Sequence, residues 1–308
     1  MSKRDITKAQ SIWELASPEL RAELLTGERA KLFAKIAERE RAETLLAQSS
    51  GAISRAFRGY VANATNPAFM RYIRPLLARG DFAGVLRLID LHTAAFANGM
   101  ATVFVGVANA ETVALAPKLV RKATPTVALS FNVADPRAVR LMEANRLRHV
   151  QGLSRMQQQR VRAALVRSVQ EGLGTTETSR LLRAAIGLSE GQQREVERYR
   201  QLLTPTEQGR RLDPEAEHLS PEQVSRMVNA RVEQSISTRA ERIARTESLR
   251  VVGQAREEAL RQSLSATGTD TKLVGQEWNA TRDSRTRDRH AARDGQRRRL
   301  GEPFDGAS

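Results

Sequence analysis

The chain has 308 residues, of which 40% are hydrophobic and only 4% aromatic, and 50 Lys and Arg against 35 Asp and Glu give a formal net charge of +15. This length suits one large or two ordinary domains, and the aliphatic composition predicts a core built by helix packing. The absence of cysteine excludes disulfides and thiolate metal sites. Four histidines far apart in sequence do not offer the ligand spacing of a zinc site, so we predict no metal and no cofactor.

Residues 1–123 are predicted to form an N-terminal helical region. Ser17 before Pro18 indicates a helix start, and the amphipathic segment SIWELASPEL around Trp13 fits either helix packing or binding to a partner. The most apolar run, residues 94–110, is broken by Asn and Gly and is expected to fall short of a membrane span. The N-terminus has no apolar signal core, so we predict no membrane partner and synthesis in the cytoplasm.

Residues 124–204 are predicted to form a middle helical region, which begins with a strand or an extended linker over residues 124–133. An apolar stripe at helical spacing follows, formed by Val161, Leu165, Ser168 and Val169. Helix boundaries are indicated by cap and stop signals. The starts are Asp135-Pro136, Ser154 with Gln157, and Ser189 with Gln192; the stops are Gly172, Gly174 and Gly187.

Residues 205–219 lack apolar periodicity and are predicted to be a linker to a C-terminal module at residues 220–308. A long helix is expected from Ser220, which forms a capping box with Gln223, to about Ser263, with a bend at Gly253. This gives eight to ten helices up to Ser263. A turn at 265–271, a strand near 273–281, a short helix capped by Asp283 or Ser284 and stopped by Gly295, and a second strand at 302–304 should follow. The predicted fold class is mainly α, with a small α+β C-terminal module.

One carboxylate lies on the aliphatic face of the long helix, which is predicted to be buried. Glu247 lies between Ile243 and Val251 on the aliphatic stripe, where a charge is costly unless a cation meets it. Arg250 is within reach on the same helix, and the C-terminal arginines or His290 could approach from elsewhere in the fold. We expect Glu247 to dock the basic C-terminal segment onto the helix, the alternative being a solvated carboxylate on an exposed face.

Residues 282–299 hold eight arginines and three aspartates, a local charge of +5. Phosphate is the obvious partner for such a field, although an acidic protein surface or a membrane surface also fits. Trp278 either stacks on a nucleobase or, as we favour, anchors the small sheet. The predicted contacts to double-stranded DNA, without sequence preference, or to a partner are Arg282, Arg285, Arg287, Arg289, Arg293, Arg297, Arg298 and Arg299.

Enzymatic activity is not predicted. No GxxxxGK[ST] loop is present, which excludes an ATP-driven motor of the P-loop class. We also expect no GxSxG elbow, so nucleophilic catalysis by a serine is not predicted. Asp283, Asp288 and Asp294, with His290 between them, are the nearest approach to a nuclease metal site. Arginines crowd these carboxylates and repel a divalent cation, so Arg–Asp pairing within a folded module is favoured over nuclease activity.

The series ARTE, Trp278, T-x-D-x-R-T-R-x-x-H, DGQ and EPF resembles the phage head morphogenesis family, the Mu F-like minor head proteins. The resemblance covers about residues 220–304, and residues 131–146 and 187–203 are similar to the region that precedes this motif. Family members commonly continue past EPF to a cysteine-containing string, so the resemblance implies a shortened or cut module. The motif residues expected to hold the module together are Arg245, Glu247, Trp278, Asp283, His290, Asp294 and Gly295.

The resemblance implies a minor capsid or head morphogenesis protein of a tailed phage, which is not an enzyme. Its expected partners are the portal or major capsid protein and DNA, and it is expected in several copies per particle. Its expected location is the virion, in the head interior or at the portal vertex, after assembly in the host cytoplasm. The alternative is a stand-alone basic nucleic-acid-binding protein or, less favoured, a phage nuclease.

Overall fold

The computed structural model describes residues 27–119, 129–205, 213, 218–270, 274–278, 288–300 and 302, with side chains for all of these but 27–36, 67, 118, 146–156, 175 and 289–290. Two compact units divide the chain at Ser49, namely Met1–Ser49 and Ser50–Ser308. The domain limits at residues 123, 204 and 219 stay predictions.

Eight helices and two short strands form within the described ranges, which confirms the mainly α class with a small strand module. Seven of these helices precede the first strand, and residues 1–26, which include the expected helix start at Ser17, lie outside the described residues. In chain order the elements are α1 (Gly27–Asn63), α2 (Pro67–Ala78), α3 (Phe82–Leu119), α4 (Pro136–Gln170), α5 (Thr175–Gly187), α6 (Glu190–Leu203), α7 (Pro221–Ala266), β1 (Gly275–Glu277), α8 (Asp288–Ala291) and β2 (Arg297–Arg299).

Helix starts follow the capping signals where a proline or a loop accompanies them. Asp135 caps α4 through its carboxylate, and both Ser189 and Ser220 form complete capping boxes at α6 and α7. The box predicted at Ser154 and Gln157 is wrong, because both residues lie inside α4. The buried Gln157 side chain instead binds the Tyr60 hydroxyl at 2.8 Å and donates to a carbonyl at the end of α5 at 3.0 Å.

Several finer expectations need correction. Val169 is exposed rather than part of the buried stripe of α4, whereas Val161, Leu165 and Ser168 are buried. The described part of the predicted first strand, residues 129–133, is extended or turn-forming without strand pairing, which matches the linker alternative. A second strand forms at β2, ahead of the expected strand at 302–304; Glu302 lies outside any strand, and residues 303–304 lie outside the described residues.

Unit 2 is organised around α7, which packs chiefly against α3, while α3 also packs against α4. The buried face of α7 carries small and branched aliphatic residues at helical spacing, and Gly253 lies within the continuous helix. An aromatic cluster of Phe57, Tyr60 and Phe96 fills the space between α1 and α3 in the same unit. In unit 1, the described side chains of α1 include an exposed Arg39–Glu43 pair at 2.9 Å.

Two buried carboxylates link α7 to its neighbours. Glu111 of α3 binds Arg256 of α7 at 3.3 Å, and Glu258 of α7 binds Arg137 of α4 at 3.2 Å. Burial raises the pKa of the Glu258 carboxyl, against the opposing effects of a hydrogen bond from Gln262 and the charge of Arg137. Each carboxylate is buried with a cation at the edge of the core, as its desolvation requires.

By length and composition α3 is able to cross a membrane, so the expectation that its apolar run falls short of a span is wrong on that criterion. The segment Phe82–Pro117 contains an 18-residue window with a mean hydropathy of 1.4, one third of which is buried. The core helix of a soluble protein passes the same test, so a single helix of this kind is weak evidence. The buried Glu111 and its contact with Arg256 place an ion pair at the C-terminal end of this segment.

The end of α5 approaches α7 so closely that only glycine fits at position 187. A Cβ built there would lie 2.7 Å from two atoms of the Ile236 side chain and 3.3 Å from Val61. Gly253 offers a contrast within α7, because a Cβ at that exposed position would meet nothing within 4 Å.

We therefore expect Gly187→Ala to lower the free energy of unfolding by about 1–3 kcal/mol, the usual range for overpacking a core. Gly253→Ala is the control and should raise it by about 0.5–1 kcal/mol, because alanine loses less backbone entropy in a helix. Urea denaturation of the two variants measures both effects. Equal stability of the two variants would contradict the close packing of α5 on α7.

Candidate nucleic-acid interface in the C-terminal module

Residues 244–248, which read ARTES, lie in the middle of α7 and are divided between its buried and its exposed face. Ala244, Glu247 and Ser248 are buried, and Arg245 and Thr246 are exposed. The helical period of 3.6 residues accounts for this division. Arg245, predicted to hold the module together, thus lies on the solvent side of the described helix.

Glu247 occupies the buried face with a cation beside it. The residue is 9% exposed, and its Oε2 accepts a hydrogen bond from Nη1 of Arg250 at 2.5 Å. The three-residue separation places both side chains on neighbouring turns of the same helix face. Glu247 also takes part in contacts beyond this pair. Its role in docking the basic C-terminal segment stays a prediction.

The strands β1 and β2 pair in antiparallel orientation although α8 lies between them in sequence, and we call this strand pair the hairpin. Its second strand consists of three consecutive arginines. The register pairs Gly275 with Arg299, Gln276 with Arg298, and Glu277 with Arg297. Two further backbone bonds extend the ladder, from the N–H of Trp278 to Gln296 at 2.9 Å and from the N–H of Leu300 to Val274 at 3.1 Å. Because side chains alternate across a strand, Arg297 and Arg299 share one face and Arg298 lies on the other.

The shared face of the hairpin carries two arginines and one glutamate, and both arginines are open to solvent. Arg297 binds Glu277 at 3.0 Å across the ladder, yet its own side chain is 81% exposed. An exposed pair of this kind contributes at most about 1 kcal/mol and is screened by salt. Arg299 is also exposed, so this face can offer guanidinium groups to an anionic partner.

Trp278 lies half-buried at the end of β1, and the guanidinium of Arg293 is 5.7 Å from its ring centroid. This distance is typical of a cation–π contact, which covers part of the ring surface that base stacking needs. The arrangement favours the structural interpretation of Trp278 over the nucleobase contact.

A tight turn leads from the short helix α8 into β2. Gly295 has a φ of 81°, the left-handed region that favours glycine, and its N–H donates to the carbonyl of Trp278 at 2.8 Å. This agrees with a glycine stop at that position. The described part of the short helix begins at Asp288, so the caps expected at Asp283 or Ser284 lie outside the described residues.

The described residues contain part of the predicted contact set. Arg297 and Arg299 are exposed, and Arg293 and Arg298 are half-buried, whereas Asp294 lies half-buried near the turn. Four predicted contacts, Arg282, Arg285, Arg287 and the side chain of Arg289, lie outside the description, as do Asp283 and the side chain of His290. The role of each of these residues stays a prediction.

No group of three or more His, Asp or Glu that could hold a metal ion is present in the described residues. Residues 187–191 read Gly-Leu-Ser-Glu-Gly, the G-x-S-x-G pattern of a hydrolase nucleophile, which must lie between a strand and a helix. Here Ser189 lies between two helices and its hydroxyl caps α6, so a capping box accounts for the pattern. The expectation that the sequence contains no G-x-S-x-G pattern is therefore wrong, although Ser189 does not occupy a strand-to-helix turn.

Removing the carboxylate of Glu247 should destabilise α7 and loosen the hairpin. Glu247→Ala leaves Arg250 partly buried without its partner, and we expect a loss of about 2–3 kcal/mol in the free energy of unfolding. Glu241→Ala, at an exposed position of the same helix, is the matched control and should change stability by less than about 0.5 kcal/mol.

Hydrogen exchange gives the second readout of this prediction. If Glu247 docks the C-terminal segment, amides of 275–278 and 295–300 should exchange faster in Glu247→Ala than in Glu241→Ala, beyond any change in α6. Unchanged exchange in the hairpin would show that Glu247 stabilises α7 alone.

Comparison with known protein families places a match in the C-terminal part of the chain. Residues 159–308 match the family model described as Phage Mu protein F like protein, a segment that contains the end of α4, α5 to α8 and the hairpin. No curated protein and no solved structure matches the chain. The match confirms the resemblance based on the ARTE to EPF series and extends it upstream. This is a family of structural proteins of phage head morphogenesis, and membership implies a virion-associated protein assembled in the host. The C-terminal half of the chain, residues 159–308, belongs to the Mu F-like family of phage head morphogenesis proteins.

Proposed function

We propose that the chain is a minor capsid protein that binds the portal or the inner capsid surface of a tailed phage and contacts the packaged DNA. The observation that carries this proposal is the family match over residues 159–308, a segment that contains the arginine-rich hairpin. The net charge of +15 adds to it, because the interior of a filled head is rich in phosphate.

The DNA contact is assigned to the exposed face of the hairpin. Arg297 and Arg299 lie on one side of the ladder and are open to solvent. Guanidinium groups there reach phosphate oxygens rather than base edges, because a three-residue strand offers little surface to enter a groove. Binding through phosphates is independent of sequence and sensitive to salt. The neighbouring arginines of residues 282–289 are expected to add to the same contact.

The association with capsid or portal is separable from DNA binding. A protein of the head should sediment with capsids or portal rings after complete nuclease digestion of the sample. We expect the chain to stay in the particle fraction under these conditions. Recovery with nucleic acid only, and release on digestion, would favour a stand-alone nucleic-acid-binding protein instead.

The DNA contact predicts a salt dependence that specific arginines control. Each phosphate contact contributes about 0.9 to the slope of log K against log salt for duplex DNA. The double variant Arg297→Ala/Arg299→Ala should therefore lower that slope by about 2 in fluorescence anisotropy with a random-sequence duplex.

The matched control for this measurement removes the same charge elsewhere. Arg194 and Arg198 are exposed on α6, so Arg194→Ala/Arg198→Ala should leave the slope nearly unchanged. Equal slopes for the two double variants, or no binding of the unmodified chain at about 50 mM salt, would remove the hairpin from the proposal.

A further inference from the structure

A groove with an aliphatic floor lies between α4, α5, α6 and α7. Its volume is about 590 Å³, which is within the range of ligand-binding clefts. Alanine, valine and leucine side chains form the floor, among them Ala163, Leu181, Ala184, Val196 and Val228. A groove of this shape and composition suits a few aliphatic side chains of a partner better than it suits a polar ligand.

The rim of the groove is charged, and most of its charges are already paired within single helices. Three arginines each lie near a glutamate three or four residues away, at 2.8 to 3.9 Å. Such exposed pairs are weak and leave little net field. The pairs are Arg167 with Glu171, Arg180 with Glu177, and Arg200 with Glu197.

Arg160 differs from the other arginines of the rim. Its Nη1 donates to the carbonyl of Leu188 at 2.5 Å, and no carboxylate among the described side chains forms an ion pair with it. A carbonyl accepts the hydrogen bond but supplies only a partial negative charge. Arg160 therefore brings an uncompensated positive charge to a groove that is otherwise locally neutral.

A second cation lies beside Arg160. Arg239 of α7 donates to the carbonyl of Ile186 at 3.3 Å and lies over the ring of Phe57 at 5.4 Å, also without a carboxylate in the part of the chain that the structure describes. Burial, together with the neighbouring charge of Arg160, lowers the pKa of Arg239 to about 10. The end of α5 thus holds two cations that an anionic group would stabilise.

We propose that this groove binds a short acidic amphipathic segment of a partner protein, with aliphatic side chains on the floor and a carboxylate at Arg160. Helix-in-groove recognition uses this combination of an apolar face and one or two charged anchors. DNA is disfavoured as the occupant because the lining contains no aromatic ring for stacking and most of its guanidinium groups are already paired. The groove lies within residues 160–232, apart in sequence from the arginine-rich hairpin.

This inference rests on the proposed function in one respect, since the partner is sought among the portal and major capsid proteins. Overlapping 15-residue peptides that cover both proteins, labelled with fluorescein, are titrated with the full-length chain. A peptide with net negative charge and apolar residues three or four apart should bind. Fluorescence anisotropy measures the affinity.

Two variants test whether that peptide occupies the groove. Arg160→Gln should weaken binding about tenfold or more through loss of a charge-assisted hydrogen bond. Ala163→Trp should abolish binding, because Ala163 is exposed on the floor and a larger side chain fills the space without disturbing the core. Arg162→Gln, which removes an exposed charge two residues away on the same helix, is the control and should bind as the unmodified chain does.

The outcomes separate this inference from the proposed function. If particles retain the chain but no acidic peptide binds, the groove proposal is overturned and the head role stands. The same holds if particles retain the chain and Ala163→Trp binds the peptide as well as Arg162→Gln does. Displacement of the peptide by duplex DNA would overturn it as well. Loss of the chain from nuclease-treated particles, by contrast, would count against the head role itself. Circular dichroism of each variant establishes that it is folded. If Arg160→Gln does not fold, the binding result for Ala163→Trp alone tests the groove.

Discussion

The burial of carboxylates on α7 is the constraint on which the described part of unit 2 depends. This 46-residue helix packs against α3, yet its buried face carries Glu247 and Glu258 among valines and alanines. A carboxylate there is tolerated only with a cation beside it, and Arg250 and Arg137 supply one each. Because Arg137 belongs to α4, the pairing also fixes how the start of α4 lies against the end of α7. The helix arrangement is thereby tied to specific partners rather than to aliphatic packing alone.

The same arginines that satisfy buried acids limit what remains for a ligand. Most described arginines of the groove rim are paired within their own helices, whereas Arg160 and Arg239 bind only carbonyls and an aromatic ring. The excess of arginine over acid in this chain therefore has local consequences. Where each arginine is paired with a carboxylate, the surface carries no net charge. Where an arginine has no such partner, an anionic group of a ligand gains the most binding energy. The groove edge and the strand pair are two described places where this excess of arginine is found.

Sequence alone predicted the elements whose signals are local and missed those that depend on packing. Glu247 was found because a carboxylate between Ile243 and Val251 breaks an aliphatic period. Glu258 lies eleven residues further on the same face and breaks the aliphatic period in the same way, beyond the predicted end of the stripe at Val251. The cationic partners of Glu258 and Glu111, which are Arg137 and Arg256, come from distant helices, so local spacing does not identify them. The prediction of a capping box at Ser154 and Gln157 was wrong because the same residue pattern also occurs inside a helix, where no loop precedes it.

The hairpin has a stability problem that bears on its function. Two strands of three residues do not hold together alone in water, and three consecutive arginines on one strand repel each other. The cross-strand Glu277 offsets part of this repulsion, and the Trp278–Arg293 contact covers the strand end. Further support has to come from outside the hairpin, and a buried acid on α7 is suited to provide it. The proposed docking through Glu247 and the proposed phosphate binding through Arg297 and Arg299 are complementary. The first would fix the strand, and the second would neutralise the charge that the fold leaves exposed.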